Sequence, residues 1–147
     1  MELLDRSSLR GYLNPARLIG AESIDLLTAD GEHLPTALDK VRAVYFVRDL
    51  EDSFAPERTA FLSRPKLDGL WVKLRFQDGK TLEGVIPNDL LSLLDNGVHL
   101  TPPDLNSNAD RIFVPRTAIT EFSVLGVVGI ARRKPAAAVV QPRLFNE

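Results

Sequence analysis

The chain has 147 residues, 44% hydrophobic and 26% charged, with a net charge of −2, the balance of a soluble globular protein of one ordinary or two small domains. A pI near 5.7 gives no general attraction to phosphate backbones or anionic lipid. The absence of cysteine excludes disulfides, thiolate metal sites and cysteine nucleophiles.

Glu2 to Leu4 reads as a short strand. Asp5-Arg6-Ser7 turns it, with Arg6 where a glycine would sit more easily. Leu9 to Leu13 is a second strand, ended by Asn14-Pro15 because proline has no N–H for a ladder. Ile24 to Thr28 is a third strand, closed by Ala29-Asp30-Gly31, and Glu32 to Leu34 a brief fourth. Thr36 to Lys40 reads as one helical turn capped by Thr36. Val41 to Arg48 is a fifth strand, apolar on both faces through Val44-Tyr45-Phe46-Val47, so it needs cover on both sides. Residues 53–68 interrupt the pattern. A short helix is expected over Pro56 to Leu62, capped by Ser53, with Phe54, Phe61 and Leu62 pinning the linker to the body.

The next stretch, VKLRFQDGKTLEGVI (residues 72–86), is the clearest in the chain. Val72, Leu74 and Phe76 alternate with Lys73, Arg75 and Gln77. Asp78-Gly79 supplies a tight hairpin turn, and Leu82, Gly84 and Ile86 return on the apolar face. Asn88 to Leu94 predicts one or two helical turns capped by Asn88. Val98 to Thr101, Arg111 to Val114 and Ile119 to Leu125 are the last strands, with Arg116 to Ala118 as a turn. From Ala131 the chain has little to pack and reads as a mobile tail.

The order repeats. Leu9-Arg10-Gly11-Tyr12-Leu13 recurs as Leu82-Glu83-Gly84-Val85-Ile86, Ile24-Asp25-Leu26 as Val98-His99-Leu100, Leu34-Pro35 as Val114-Pro115, and Val41 to Phe46 as Ile119 to Val124. The boundaries that follow are 1–52 and 69–130 for two related units, 53–68 for a linker and 131–147 for a tail. Units this small are marginal alone, so each is expected to lean on the other.

Five short strands, a tight first hairpin, a glycine inside strand two and a small turn before the last strand resemble SH3-like or Sm-like small barrels. VKLRFQDGKTLEGVI together with LDKVRAVYFVRDL is similar to an uncharacterised family of bacterial domains. The resemblance implies a mainly β fold: two tandem five-stranded SH3/Sm-like barrels packed as a pseudo-dimer, with short helical turns. It implies no reaction. Asp89-Leu90-Leu91-Ser92 followed by Gly97 is faintly similar to a PilZ glycine motif, but the spacing differs and no arginine-x-x-x-arginine precedes it.

No constellation supports catalysis. His33 and His99 lie on nonequivalent positions, so no metal site is expected. Lys66-Leu67-Asp68-Gly69 spells a nucleotidyl-transferase motif without the rest of such an enzyme. No serine, histidine and acid stand at suggestive spacing, and no phosphate loop is present. The expectation is a non-enzymatic binding or scaffolding module without cofactor. It takes a protein partner, with oligomers possible and no membrane contact. The alternatives are an Sm-type nucleic-acid-binding module or a PilZ-like ligand sensor. Candidate partner-binding residues are Tyr45 and Val47 on the fifth strand, and Trp71, Lys73 and Arg75, an aromatic-plus-basic stripe that Arg111 and Arg116 could join. Gln141-Pro142-Arg143-Leu144-Phe145 is similar to the Q-x-x-L-F peptides that bind the bacterial replication clamp, through Gln141, Leu144 and Phe145. Residues 1–11 lack a basic stretch ahead of an apolar core, and a cytoplasmic location is expected.

Overall fold

A computed structural model describes residues 1–54, 58–93, 95–104 and 107–129. The fold is mainly β. Its strands are β1 (Glu2–Leu3), β2 (Ser23–Leu27), β3 (His33–Ala37), β4 (Val41–Val47), β5 (Gly69–Phe76), β6 (Thr81–Ile86), β7 (Gly97–Leu100), β8 (Ala109–Pro115) and β9 (Ile119–Val128), with one helical turn, α1 (Leu90–Leu93). They form three sheets, ordered β1-β4-β8-β7, β2-β3 and β6-β5-β9. Single bridges between Glu2 and Ser8, Tyr12 and Leu27, and Val85 and Thr101 link them. Among the described residues no closed barrel forms. The pairings run as one ribbon from β3, through β2, β1, β4, β8, β7, β6 and β5, to β9.

The register recurs along the chain. Leu3 opposes Val41 as Phe76 opposes Ile119, and Glu2 opposes Ala43 as Arg75 opposes Glu121, with an irregularity at the same step in both. Ser23 to Leu26 oppose Ala37 to Leu34 as Gly97 to Leu100 oppose Pro115 to Ile112. The bridge from Tyr12 to Leu27 matches that from Val85 to Thr101. Both first turns bond alike: Arg6 N–H to Leu3 O and Gly79 N–H to Phe76 O, with Asp5 and Asp78 each accepting from the backbone two residues on. Arg6 has φ 72° and Gly79 φ 84°. A non-glycine residue in this region is strained, and Arg6 is held there by ion pairs to Glu2 at 2.9 Å and Asp78 at 2.8 Å.

Gly11 and Gly84 share a cause, the close approach of another strand. A Cβ on Gly11 would lie 2.4 Å from the Leu27 carbonyl oxygen, and one on Gly84 2.6 Å from Leu100 Cδ1.

Two clusters make the core. Val72, Leu74, Phe76, Leu82, Ile86, Leu100, Ile112 and Val114 form the larger, with Ala43 from β4 inside it. Leu18, Ile24, Leu38, Val41 and Val44 form the smaller, with Phe113 of β8 inside it. Each cluster therefore borrows from the other half. The seam is β4 on β8, with Val44 opposite Phe113 and Tyr45 opposite Ile112. It is reinforced by Asn96 Nδ2 donating to the Leu18 and Ala21 carbonyls at 2.8 and 2.9 Å. Unlike strands meet at this seam, not the related surfaces that a pseudo-dimer of barrels would bring together.

Local expectations change where tertiary contacts compete. Leu9 to Leu13 is anchored only by the bridges at Ser8 and Tyr12 and is not a continuous strand. Thr36 belongs to β3, and a 3-10 turn over Leu38–Lys40 follows with no side-chain cap. Asn14 caps a 3-10 turn over Pro15–Leu18. Asp89, not Asn88, caps α1, accepting from Leu91 N–H at 3.0 Å. Residues 58–62 are not helical; residues 56 and 57 of that expected helix lie outside the described residues. Phe54 and Phe61 do pin the linker, on Tyr45 with ring centroids 4.8 Å apart and on Trp71 at 6.2 Å, while Leu62 is exposed.

Candidate functional site

β4 and β9 are the longest apolar strands that each follow a 3-10 turn, Leu38–Lys40 and Arg116–Ala118. Both present apolar side chains on two faces, and each pairs on one side with a hairpin strand, β1 or β5. Their other edges differ. β4 is covered by β8, and Val44 is 3% exposed. Among the described residues β9 pairs only with β5. Phe122 and Val124 stand opposite the buried Leu74 and Val72 yet remain 37% and 52% exposed. Leu125 and Val127 are exposed as well.

The edge of β9 borders a cleft of about 400 Å³. Its apolar wall is Leu93, Val98, Ile119 and Phe122, and Arg116 closes one side. The Arg116 guanidinium is held by the carbonyls of Leu93 and Asp95. The matching residues around β4 are Leu18, Ile24, Val41 and Val44, and there Phe113 fills the space. The register places Ile24 as it places Val98, and Val41 as it places Ile119. One site is filled from a neighbouring strand, and among the described residues the other is open.

The two ends of the ribbon are not equally receptive. β3 carries Pro35 at its centre. Leu38 N–H bonds Glu22 O and Thr28 N–H bonds Glu32 O, so the even-numbered residues of β3 make the ladder and the Pro35 nitrogen faces the free edge. A proline there removes a donor and blunts the edge against strand addition. β9 has ten residues and no proline. Near its C-terminal end Arg64 donates to the Val127 carbonyl.

The residues singled out from the sequence fall in three places. Tyr45 lies under Phe54, its hydroxyl donating to Glu2 Oε1 at 3.3 Å. Burial, and then the Glu2 carboxylate, push that hydroxyl up to about 12. Val47 ends β4 opposite Ala109, half-buried beside a second cleft with Tyr12, Leu13 and Phe54. Trp71, Lys73 and Arg75 share the outer face of β5. Trp71 Nε1 donates to Glu83 Oε1 at 2.9 Å, Lys73 stands across from Glu83, and Arg75 lies 3.6 Å from Glu121. The stripe is matched by acids, and its expected additions are elsewhere: Arg111 over the Phe46 ring at 4.6 Å, Arg116 on carbonyls. Gln141, Leu144 and Phe145 lie outside the described residues.

Glu2 and Arg42 are buried and bonded at 3.0 Å, with Asp78 3.4 Å from Arg42 and the Arg42 guanidinium 3.9 Å over the Phe76 ring. This network ties the first turn to the second. His33 bonds Asp25 at 2.9 Å on the surface. His99 lies against Phe113, and burial, with the Arg111 charge second, lowers its pKa. Among the described residues no group of acidic and histidine side chains is placed to hold a metal, and no helix is long and apolar enough to cross a membrane.

Residues 1–126 match the model of a family of unknown function, DUF6982. The chain belongs to this family. No curated protein and no solved structure matches it. The match takes in both halves and most of β9, including Phe122 and Val124, so the open edge is part of what the family model spans. The cleft residues Leu93, Val98, Ile119 and Phe122 were not singled out from the sequence as a site. The signal for them was the doubly apolar last strand, which demands cover; that the cover would be missing on β9 depends on which strand β8 joins.

Proposed function

We propose that this member of the family is a tandem duplication of a five-strand SH3/Sm-like unit. It works as a non-enzymatic binding or scaffolding module whose partner is a protein segment, added as a strand to the free edge of β9. One observation carries the reading: β8 lies on β4 and delivers Phe113 into the pocket beside it, while no other described strand takes the corresponding edge and pocket of β9. Strand addition of this kind takes affinity from backbone bonds and specificity from alternate side chains in pockets. A segment with a large apolar side chain opposite Phe122 fits the cleft. Repeated registers in the two halves support the duplication.

The two other readings have less support. Nucleic-acid binding needs an unopposed basic track, and Lys73 and Arg75 face Glu83 and Glu121. A PilZ-like ligand sensor would bring arginines together, and Arg111 and Arg116 are engaged apart.

A labelled peptide copying residues 107–116, the strand that covers β4, tests the reading. Saturable binding to the full chain is expected, weakened at least about tenfold by Val124→Lys on the exposed edge with the melting temperature unchanged. No saturable binding, or equal binding to the variant, overturns it. Salt-dependent retention on a nucleic-acid column would favour the Sm-type alternative instead.

A further inference from the structure

We infer that the C-terminal segment of the same chain, Gln141 to Phe145, docks on the edge of β9 with Phe145 in the cleft. This rests on reading that edge as a strand acceptor. Three observations point to the tail as occupant.

The first is sequence. Arg143-Leu144-Phe145 copies Arg111-Ile112-Phe113, the part of β8 that lies against Phe46, Tyr45 and Val44. Transferred to β9, the same register sets Phe145 opposite Phe122, Leu144 opposite Ser123 and Arg143 opposite Val124. Phe145 then enters the wall of Val98, Ile119 and Phe122 as Phe113 enters that of Ile24, Val41 and Val44.

The second is the proline. The register of β4 on β8 skips Asp110, running from Phe46–Arg111 to Val47–Ala109. Pro142 falls at the skipped position, where a missing N–H breaks no ladder bond. Gln141 takes the place of Ala109.

The third is reach and direction. β8 runs antiparallel to β4, and a tail that turns back after β9 arrives antiparallel too. Residues 129–138 are left for the turn, ample for a reversal. The segment carries Arg132, Arg133, Lys134 and Pro135, suited to an exposed loop.

Docking would make the tail a competitor of any outside strand. The same Leu144 and Phe145 that resemble a clamp-binding peptide would be held on β9 until a partner displaced them.

The absence of cysteine permits a clean crosslinking test in the full chain. Ser123→Cys with Leu144→Cys pairs residues that docking places opposite one another. Ser123→Cys with Val140→Cys pairs residues that docking holds four positions apart. The first pair is expected to oxidise within the monomer at least about tenfold faster, whereas a free tail closes the two similar loops at nearly equal rates. Phe145→Ala should remove the difference and tighten binding of the 107–116 peptide. Rates within a factor of about two, no effect of Phe145→Ala, or crosslinks only between copies would each overturn the inference. Binding of the 107–116 peptide in that outcome would leave the edge a strand acceptor without a resident tail; loss of both would remove the acceptor reading too.

Discussion

β4 and β9 do the same job at one edge and opposite jobs at the other. Each closes a hairpin strand by the same register, including the irregularity after Glu2 and after Arg75. β4 then disappears under β8, and β9 ends the ribbon. An apolar strand at a sheet edge is a pairing template, so the contrast shows what the fold satisfies internally and what it leaves for another segment.

Truncating the filler should have the largest effect. Phe113 is fully buried in the β4 pocket, so Phe113→Ala is expected to cost about 3–5 kcal/mol, read by denaturant unfolding. Phe122→Ala on β9, at a residue 37% exposed among the described residues, should cost less, roughly 1–2 kcal/mol. Equal costs would mean that β9 is covered as fully as β4.

The residue skipped at the shared irregularity is Arg42 on β4 and Thr120 on β9. Arg42 balances the buried Glu2, and Thr120 only donates to the carbonyls of Arg75 and Phe76. Arg42→Ala should cost about 3 kcal/mol, the low end for breaking a buried pair because Arg6 still holds Glu2. Thr120→Ala is expected to stay within about 1 kcal/mol. A smaller loss for Arg42→Ala than for Thr120→Ala would break the contrast.

Glycines of the β5–β6 hairpin separate the cost of close approach from the cost of a turn. Gly84→Val should cost roughly 2–4 kcal/mol by overpacking against Leu100 and Thr101. Gly79→Val meets open space and resists only through φ 84°, so roughly 1–2 kcal/mol is expected. Melting temperatures that fall in the reverse order would show that the turn, not the close approach, limits the hairpin.

A further difference is the dependence on pH carried by Tyr45, a residue whose β9 counterpart is Ser123. Its pKa is raised from 10 to about 12 by burial first and by Glu2 second. The folded state therefore holds the proton more tightly. The contribution is complete below pH 10 and is lost as pH rises from 10 to 12, by up to roughly 2 kcal/mol. Tyr45→Phe should flatten that part of the stability profile, measured as the urea midpoint between pH 9 and 11.5. An unchanged slope would place the ionisation elsewhere.

Much of this fold was legible in the residues. The Asp78-Gly79 turn, the alternation around it and the succession of short strands along the chain rest on local rules of turn chemistry and period two. Arg6 was visible as a strained substitute for glycine, and its φ bears that out. Weak local signals went the other way. Asp89 outcompeted Asn88 as a cap because its carboxylate reaches Leu91 N–H. Leu9 to Leu13 kept only isolated bridges because β1, the strand beside it, has two residues where β5 has eight.

The demand for cover on both last strands was written in Val44 to Val47 and Phe122 to Val127, since a side chain's polarity and its place in an alternating run are properties of the chain alone. Which strand supplied that cover was not. It is a long-range pairing of β4 with β8, in which Phe113 lies 69 positions from its partner Val44, and no periodicity encodes the identity of a distant partner. Tertiary structure alone decided that β4 took β8, that Pro35 faced outward on β3, and that no other described strand took the apolar edge of β9.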